Sequence, residues 1–227
     1  MDLPGYLRWA GKKRRSTGEP EGMSAPMDTT QLFAIAAALG WASGLRLYAV
    51  VFLTGMAGWL GWVDLPPGLQ LLQQPLLLVA SGLMLAVEFF ADKVPGLDSL
   101  WDMVHTVIRI PAGALLAAGV FGGDQGSWTL IAALMGGTLA ATSHAAKAST
   151  RAAANTSPEP FSNLGLSLLD DAAVPGMLWL AWAHPAWFFV VLAVALVMMV
   201  LLIVLTAKFL RRLFARLRGR ASLPRSA

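Results

Sequence analysis

Residues 185–207 read PAWFFVVLAVALVMMVLLIVLTA, an uninterrupted apolar run without a charged side chain. About 20 apolar residues is the length that an α-helix needs to cross the hydrocarbon core of a bilayer. This Val- and Leu-rich surface predicts a helix that faces lipid and takes no part in a functional site. The segment after it is predicted to extend along the cytoplasmic membrane surface, because it is basic and amphipathic: Lys208, Arg211, Arg212, Phe214, Arg216 and Leu217.

Five further apolar stretches precede this run, approximately at 31–62, 75–91, 104–122, 128–147 and 164–183. The chain is 56% hydrophobic and only 13% charged, which excludes a water-soluble domain of 227 residues. We therefore predict an all-α membrane protein, in which residues 28–207 form a bundle of about six transmembrane helices. The segments 1–27 and 208–227 are predicted to be basic cytoplasmic tails; the first is flexible and has no signal-peptide core.

Basic residues are confined to alternate connections between these stretches. The first, third and fifth connections contain no Lys or Arg: 63–74, 123–127 and 184. By contrast, Lys93 lies in the second connection, and Lys147 and Arg151 lie in or beside the fourth. Cationic loops resist translocation, so the basic segments are predicted to be cytoplasmic. Six crossings then place both termini in the cytoplasm, in a multi-pass protein of a bacterial inner membrane.

The positive charge of the chain is concentrated in its tails. The formal net charge is +4, and the tail residues that carry the excess are Arg8, Lys12, Lys13, Arg14, Arg15, Lys208, Arg211, Arg212, Arg216, Arg218, Arg220 and Arg225. Because these tails flank membrane spans, we predict that they bind anionic lipid headgroups and not nucleic acid. The absence of cysteine excludes disulfides and thiolate chemistry.

The first apolar stretch is too long for one straight span, since 32 residues would extend roughly 48 Å against a hydrocarbon core of ~30 Å. Gly40 and Gly44 predict a break, with a half-helix or re-entrant piece at 29–42 and the true span at 45–62. Asp28 is predicted to cap the start of this helix. Arg46 would then face a cavity or the cytoplasmic interface. The alternative is a steeply tilted long helix with a snorkelling Arg46.

A short internal similarity relates IAAALG at 35–40 to IAALMG at 131–136. The two copies begin the first and fourth spans, so three spans lie in each half. An odd number of spans per half predicts a 3+3 inverted repeat, an arrangement that builds transport sites at mid-membrane. Because the match is short and Ala-rich, chance similarity is the alternative.

Two charged stripes occur at helical spacing. Residues of the first recur at i, i+4, i+7 and i+11, and residues of the second recur at i, i+3 and i+7: Asp98, Asp102, His105 and Arg109, then His144, Lys147 and Arg151. Charges at membrane depth pair with one another or line water. We predict that the stripes face each other, joined by residues 155–163. Asp98 is also predicted to cap a helix that begins at Ser99.

The candidate ion or solute site comprises the ionisable and polar side chains near the predicted cytoplasmic side: Arg46, Glu88, Asp92, Lys93, Asp98, Asp102, His105, Arg109, His144, Lys147, Arg151, Asn155, Ser157, Glu159, Asn163, Asp170 and Asp171. No cofactor is predicted, although Mg²⁺ or Mn²⁺ would accept four of the carboxylates: Glu88, Asp92, Asp98 and Asp102. Helix capping with ion pairing, and proton or ion coupling, are the other interpretations of these acids. Residues 155–163 are predicted to plug a cavity or re-enter the membrane, or else to form a plain connection.

Two motifs carry a resemblance to a known family. ADKVPGLDSLWD at 91–102 and ANTSPEPFSN at 154–163 resemble the motifs of a bacterial integral-membrane family of unknown function. The resemblance covers approximately residues 30–205 and leaves out both basic tails. It implies a membrane fold and highlights these two motifs, but it implies no substrate.

Enzyme signatures are absent: the chain has no Gly-x-Ser-x-Gly elbow, no His-Glu-x-x-His pair and no phosphate-binding Gly loop. The favoured function is therefore a transporter- or channel-like protein that moves a small ion or polar solute. Asp98 and Asp102 leave a lipid-phosphate enzyme as one alternative, and a non-catalytic scaffold is the other. The predicted partners are membrane lipids, the solute and, as an open alternative, a second copy of the chain in a homo-oligomer.

Overall fold

The computed structural model describes residues 27–94, 96–122, 126–156 and 161–221. Its elements are helix α1 (Thr29–Trp59), a 3-10 helix (Pro67–Gln73), α2 (Pro75–Ala91), α3 (Leu97–Phe121), α4 (Gly126–Ala154), α5 (Phe161–Ala183) and α6 (Pro185–Ala221). Five helices are long and apolar enough to cross a membrane, or six if the 3-10 helix and α2 count as one bent span. The predicted all-α membrane bundle is confirmed, and the described ranges contain no strand.

The helices α3 and α4 extend beyond the apolar stretches that predicted them. α3 begins at Leu97, seven residues before its apolar stretch and two before the predicted helix start at Ser99, and α4 ends at Ala154, seven residues after its apolar stretch. Hydropathy ends a span where charges begin, but these charges pair inside the protein, so the helices continue through them. The extra turns place both charged stripes on regular helix.

α1 begins where predicted and breaks near the predicted place. Asp28 Oδ1 accepts a hydrogen bond from Gln31 N at 2.6 Å, which caps the helix at Thr29. The break lies at Arg46, which adopts φ −145° and ψ 85°, and not at Gly40 or Gly44, which are helical. The two arms of α1, residues 29–45 and 47–59, therefore meet at an arginine.

The two arms of α1 form a re-entrant hairpin. Gln31 Nε2 donates to Trp182 O at 3.2 Å at the end of α5, and Phe33 packs on Trp128 near the start of α4. A straight helix would hold Gln31 and Ala57 roughly 39 Å apart at 1.5 Å per residue. Instead, both residues line one cavity. The second arm thus returns to the end of the bundle from which the first arm entered.

The bundle has two chemically different ends. One end, called the tryptophan end below, carries six tryptophans at or near helix ends, a position typical of an interfacial aromatic belt: Trp59, Trp62, Trp128, Trp179, Trp182 and Trp187. The other, called the charged end, contains the end of α2, the start of α3, the end of α4 and the start of α5. The helices α2 to α6 each run from one end to the other.

The hairpin changes the predicted threading. The second arm, residues 47–59, runs from the charge cluster back to the tryptophan end and occupies most of the stretch 45–62 that was predicted as the true span, whereas the first arm enters from the tryptophan end. The described chain therefore starts at the tryptophan end, and α6 finishes at the charged end. Within residues 27–221 the two chain ends thus lie at opposite ends of the bundle, which differs from the predicted threading, while the side of a membrane that each end faces stays a prediction. Hydropathy records apolar length but not direction, so it indicated a broken or re-entrant first helix without showing from which end of the bundle that helix enters.

The two similar hexapeptides, 35–40 and 131–136, lie side by side. A Cβ at Gly40 would collide with the backbone of Gly136, so these helices touch at their glycines. Phe33 lies beside Trp128 and Gly44 beside Ser143, so the first arm and α4 run in the same direction. The structure does not confirm the inverted repeat, since an inverted pair would run in opposite directions.

Replacing Gly40 by Ala tests this close contact. We expect Gly40→Ala to lower the free energy of unfolding by about 1–3 kcal/mol, because the added methyl group has no free volume. Gly165→Ala is the matched control, since nothing lies within 4 Å of the new Cβ and alanine favours a helix. Thermal unfolding in detergent measures both, and equal stability of the two variants would contradict the packing.

Single-cysteine labelling tests the hairpin, because the chain contains no cysteine of its own. We expect Met27→Cys and Trp62→Cys to react with a membrane-impermeant maleimide from one side of the membrane. Arg212→Cys should react from the other side. Labelling of Met27→Cys and Arg212→Cys from the same side would contradict the re-entrant topology.

Candidate functional site

Eight ionisable side chains, each at most 4% exposed, lie together toward the charged end: Arg46, Glu88, Asp92, Asp98, Asp102, Arg109, Lys147 and Arg151. They are called the charge cluster below. Four are formally positive and four negative, so their charges cancel. Charged groups in a bilayer are costly unless they pair or contact water. Three partly exposed residues form the rim of the cluster: Lys93, Asp170 and Asp171.

Asp92, directly after the last residue of α2, is the centre of the cluster. Its carboxylate contacts Lys147 Nζ at 2.9 Å, Arg151 Nη1 at 3.1 Å and Arg46 Nη2 at 3.2 Å. Burial alone raises the pKa of Asp92, but the attraction of Lys147, Arg151 and Arg46 outweighs burial and holds the pKa below its ordinary value. Asp92 therefore stays ionised and joins α1, α2 and α4.

Arg109 of α3 forms a second centre. Its Nη2 lies 2.7 Å from Glu88 Oε1 and its Nη1 lies 2.7 Å from Asp102 Oδ1. Asp102 also lies 3.7 Å from Lys147 Nζ and 3.8 Å from Arg151 Nε, which connects the two centres. The cluster is thus one continuous network and not a set of isolated pairs.

The predicted pairing of the two stripes is confirmed. Arg151 of α4 lies 3.7 Å from Asp98 of α3. About two helical turns nearer the tryptophan end, Thr106 Oγ1 of α3 lies 2.7 Å from His144 Nε2 of α4. Neither stripe faces lipid alone, because the charged members of each are buried against the other.

Asn155 and Asn163 close the charged end of this interface. Asn155 Nδ2 donates to Ser99 Oγ at 2.8 Å, and Asn163 Nδ2 donates to Asn155 Oδ1. Asn155, just after α4, therefore links the buried Asn163 at the start of α5 to the start of α3. Ser157 and Glu159, both predicted site residues, lie outside the described residues, as does the proposed plugging role of the segment around them.

Asp98 has a different capping role from the predicted one. α3 begins at Leu97, before Ser99, and Asp98 lies in its first turn. Asp98 Oδ1 accepts from Gly96 N at 2.8 Å and Ser99 N at 2.6 Å. Gly96 has φ +87°, a conformation that side chains other than glycine rarely adopt. The turn thus supplies N–H donors to a carboxylate that also faces Arg151.

Arg46 connects the centre of the cluster to its rim. Its Nη2 lies 2.8 Å from Asp171 Oδ1 and donates to Ser167 Oγ at 3.0 Å, while its Nε and Nη1 have no hydrogen-bond partner among the described residues. The side chain is 1% exposed, so the alternative of a snorkelling arginine is wrong. Lys93 completes the rim at 3.3 Å from Asp171.

The break in α1 also exposes backbone to the cluster. Lys147 Nζ donates to Leu45 O at 2.7 Å, a carbonyl at the end of the first arm. A carbonyl at a helix end carries partial negative charge, which suits an ammonium group. Lys147 therefore donates a hydrogen bond to a carbonyl at the point where the break interrupts the helix.

Two residues of the site escaped the sequence analysis, Tyr48 and Ser167. Tyr48 Oη lies 3.2 Å from His105 Nε2, and the His105 ring stacks on Trp101 at 4.1 Å. Ser167 contacts Arg46 and precedes Asp171 by four residues on α5. The i, i+4 spacing of Ser167 and Asp171 could have identified Ser167 from the sequence. Tyr48 could not be identified in this way, because its place in the site depends on where the second arm begins.

The carboxylates proposed for a metal each face a cation of the protein. Glu88 contacts Arg109, Asp98 contacts Arg151, and Asp92 and Asp102 each contact several basic groups. Within the described residues, no three His, Asp or Glu side chains form a group that could hold a metal ion. These four carboxylates therefore each have a basic partner within the protein.

A cavity of about 790 Å³ opens at the tryptophan end between α1 and α5. Pro175 forms part of its wall and lies one helical turn after Asp171. Because proline has no N–H, the carbonyl of Asp171 lacks its usual helical partner. The cavity and the rim of the charge cluster are thus separated by about one turn of α5.

Comparison with known proteins adds a family to this geometry. A family model described as Domain of unknown function (DUF4126) matches residues 33–205. The chain belongs to this family. The DUF4126 match includes the hairpin break, the whole charge cluster and most of α6, and it leaves out the basic tails. No match was found among curated proteins or among solved structures.

Removing one member of the charge cluster should destabilise the fold. We expect Asp102→Ala and Arg151→Ala each to lower the free energy of unfolding by about 3–5 kcal/mol, because the surviving charges lose a buried partner. Arg212→Ala, at an exposed residue of α6, is the control and should leave the folded yield unchanged. Size-exclusion chromatography after detergent extraction measures that yield, and equal yields for all three variants would contradict the network.

Proposed function

We propose that this DUF4126 protein is a transporter- or channel-like protein that moves a small ion or polar solute across a bacterial inner membrane. The observation that carries the proposal is the break at Arg46, where a re-entrant hairpin reverses direction among buried charges. Helices interrupted inside a bundle present backbone dipoles and charged groups to a bound solute. The site residues of the proposal are the charge cluster and its rim.

A structural role alone explains the cluster poorly. Replacing a buried ion pair by apolar residues is often neutral or stabilising, so such pairs are weak evidence of a stabilising function. Several donors in the cluster also lack hydrogen-bond partners among the described residues, including Nε of Arg46 and Nε of Arg151. Unpaired donors beside ion pairs favour a site that changes partners during a cycle.

In this proposal the solute reaches the cluster from both ends of the bundle. The cavity at the tryptophan end reaches Pro175, one turn from Asp171. The side chains of the rim residues Lys93 and Asp171 are 21% and 24% exposed, and Asp171 also contacts the buried Arg46. A solute at the rim would therefore lie one contact away from the buried cluster. A small solute would pass between the arms of α1 and α5 and displace the contact of Arg46 with Asp171.

We propose that the charged end faces the cytoplasm. Lys208, Arg211 and Arg212 follow the apolar part of α6 at this end, and the connections at the tryptophan end contain no Lys or Arg. The positive-inside tendency supports this orientation, and anionic lipid headgroups would contact the basic end of α6. The N-terminal segment 1–26 lies outside the described residues.

Flux measurements in liposomes test the proposal. We expect the purified protein to conduct or exchange a small ion or polar solute, detected by dyes sensitive to pH or membrane potential. Asp171→Asn and Arg46→Gln should lower this flux at least tenfold, because they remove the contact between the centre of the cluster and its rim. Arg212→Gln is the matched control and should retain the flux.

The two site variants must first elute as folded protein. Asp171 is the better choice, because it is partly exposed and its loss leaves Arg46 in contact with Asp92. Release of phosphate or of a headgroup from lipid would instead favour an enzyme. A folded protein with neither flux nor turnover would favour a scaffold, and either result would overturn transport.

A further inference from the structure

The cavity at the tryptophan end has the size and shape of a small-molecule site. Its volume is about 790 Å³, within the range of roughly 300–1,000 Å³ that such pockets occupy. It lies between the two ends of α1, residues 62–64 and the second half of α5. None of the side chains that line it belongs to the charge cluster.

The walls of this cavity are unusually aromatic. Trp62 and Trp179 line its mouth, where they are 75% and 62% exposed, and the partly buried Trp182 lines it together with apolar side chains of both helices. The face of an indole ring carries partial negative charge and attracts a cation more strongly than other aromatic rings do. An interfacial belt explains tryptophans that face lipid headgroups, but it does not require three of them around one cavity.

The one acidic residue that lines the cavity is uncompensated. Asp64 makes no ion pair with any residue of the described ranges. The connections at this end, residues 63–74, 123–127 and 184, also contain no Lys or Arg in the sequence. The mouth of the cavity is therefore negative and attracts positive ligands.

A buried acceptor lies deeper in the same cavity. Thr54 lines it and is 2% exposed, and its Oγ1 has no hydrogen-bond partner among the described residues. Buried hydroxyl groups normally find a partner, since an unmade hydrogen bond costs free energy. An ammonium N–H in the cavity would supply that partner.

We propose that this cavity binds an organic cation, an amine or quaternary ammonium group attached to a hydrophobic body. The tryptophan faces and Asp64 hold the charge, Thr54 accepts a hydrogen bond from a protonated amine, and the apolar lining contacts the body of the ligand. A small inorganic cation fits poorly, because the lining provides few oxygen ligands. An anion fits poorly because Asp64 repels it.

The cavity would be the entrance through which the solute reaches the charge cluster, and this role rests on the proposed transport function. Pro175 in its wall lies one helical turn from Asp171, whose Oδ1 is 2.8 Å from Arg46. A cation that moves inward from the cavity would meet the carboxylate of Asp171 next. Binding itself does not depend on transport and is measured without a membrane potential.

Isothermal titration calorimetry on the purified full-length chain in detergent tests the site. The probes are benzyltrimethylammonium and phenethylammonium as cations, benzenesulfonate as an anion, and benzyl alcohol as a neutral compound of similar size. We expect both cations to bind at least tenfold more tightly than benzyl alcohol, with no binding of benzenesulfonate. Equal affinity for the cations and the alcohol would show only partition into an apolar cavity and would overturn the proposal.

Variants locate the binding within the cavity. Asp64→Asn and Trp179→Leu should each weaken the binding of both cations by about tenfold. Thr54→Val should weaken phenethylammonium but leave benzyltrimethylammonium unchanged, since a quaternary ammonium group has no N–H to donate. Trp187→Leu is the control, because Trp187 lies at the same end and does not line the cavity. Loss of binding in the control, or none in Asp64→Asn and Trp179→Leu, would place the ligand elsewhere.

The binding experiment and the flux experiment test the two proposals independently. Selective cation binding without flux in liposomes would leave the site standing and would reject transport. Flux without selective cation binding would leave transport standing and would reject the site. Flux of phenethylammonium that disappears in Asp64→Asn, while Trp187→Leu retains it, supports both.

Discussion

The structure depends on one constraint: a charge placed in the interior of this bundle has little water to solvate it and must find an opposite charge. Asp92 meets this constraint for Arg46, Lys147 and Arg151, and Arg109 meets it for Glu88 and Asp102. The constraint explains why the helices α3 and α4 continue past the apolar stretches. Their charged turns lie against each other, so ending the helices earlier would leave donors and acceptors unpaired.

The sequence contained most of the charge cluster but not its three-dimensional arrangement. Helical spacing identified the two stripes, because residues three and four positions apart share a face of any helix. It could not place Asp92 at the centre, since the contact with Lys147 spans 55 positions. The analysis also missed Ser167, although its i, i+4 spacing to Asp171 was present in the sequence, because the contact with Arg46 spans 121 positions.

The fold class followed from apolar length, whereas the path of α1 did not. A broken helix was predictable because a straight helix over residues 31–62 would be longer than a bilayer is thick. Glycine is a common residue at such breaks, which is why the break was predicted at Gly40 and Gly44. Gly40 and Gly44 instead allow close contact with Gly136 and Ser143, and the chain reverses at Arg46. Glycine occurs both where a helix bends and where two helices pack closely, so composition alone does not distinguish a break from a close contact. Contacts at both ends of the segment are needed to recognise a hairpin.

The hairpin has a consequence for biosynthesis. Its first arm packs on Gly136 and Ser143 of α4, and its second arm on residues of the 3-10 helix and α2. These partners are translated after α1, so the hairpin lacks its native contacts while it leaves the ribosome. Arg46 in particular has no carboxylate available until residues 92 and 171 have been made. The earliest part of this domain therefore cannot complete its native contacts until α5 has been made, so the hairpin must remain free to settle while the later helices emerge.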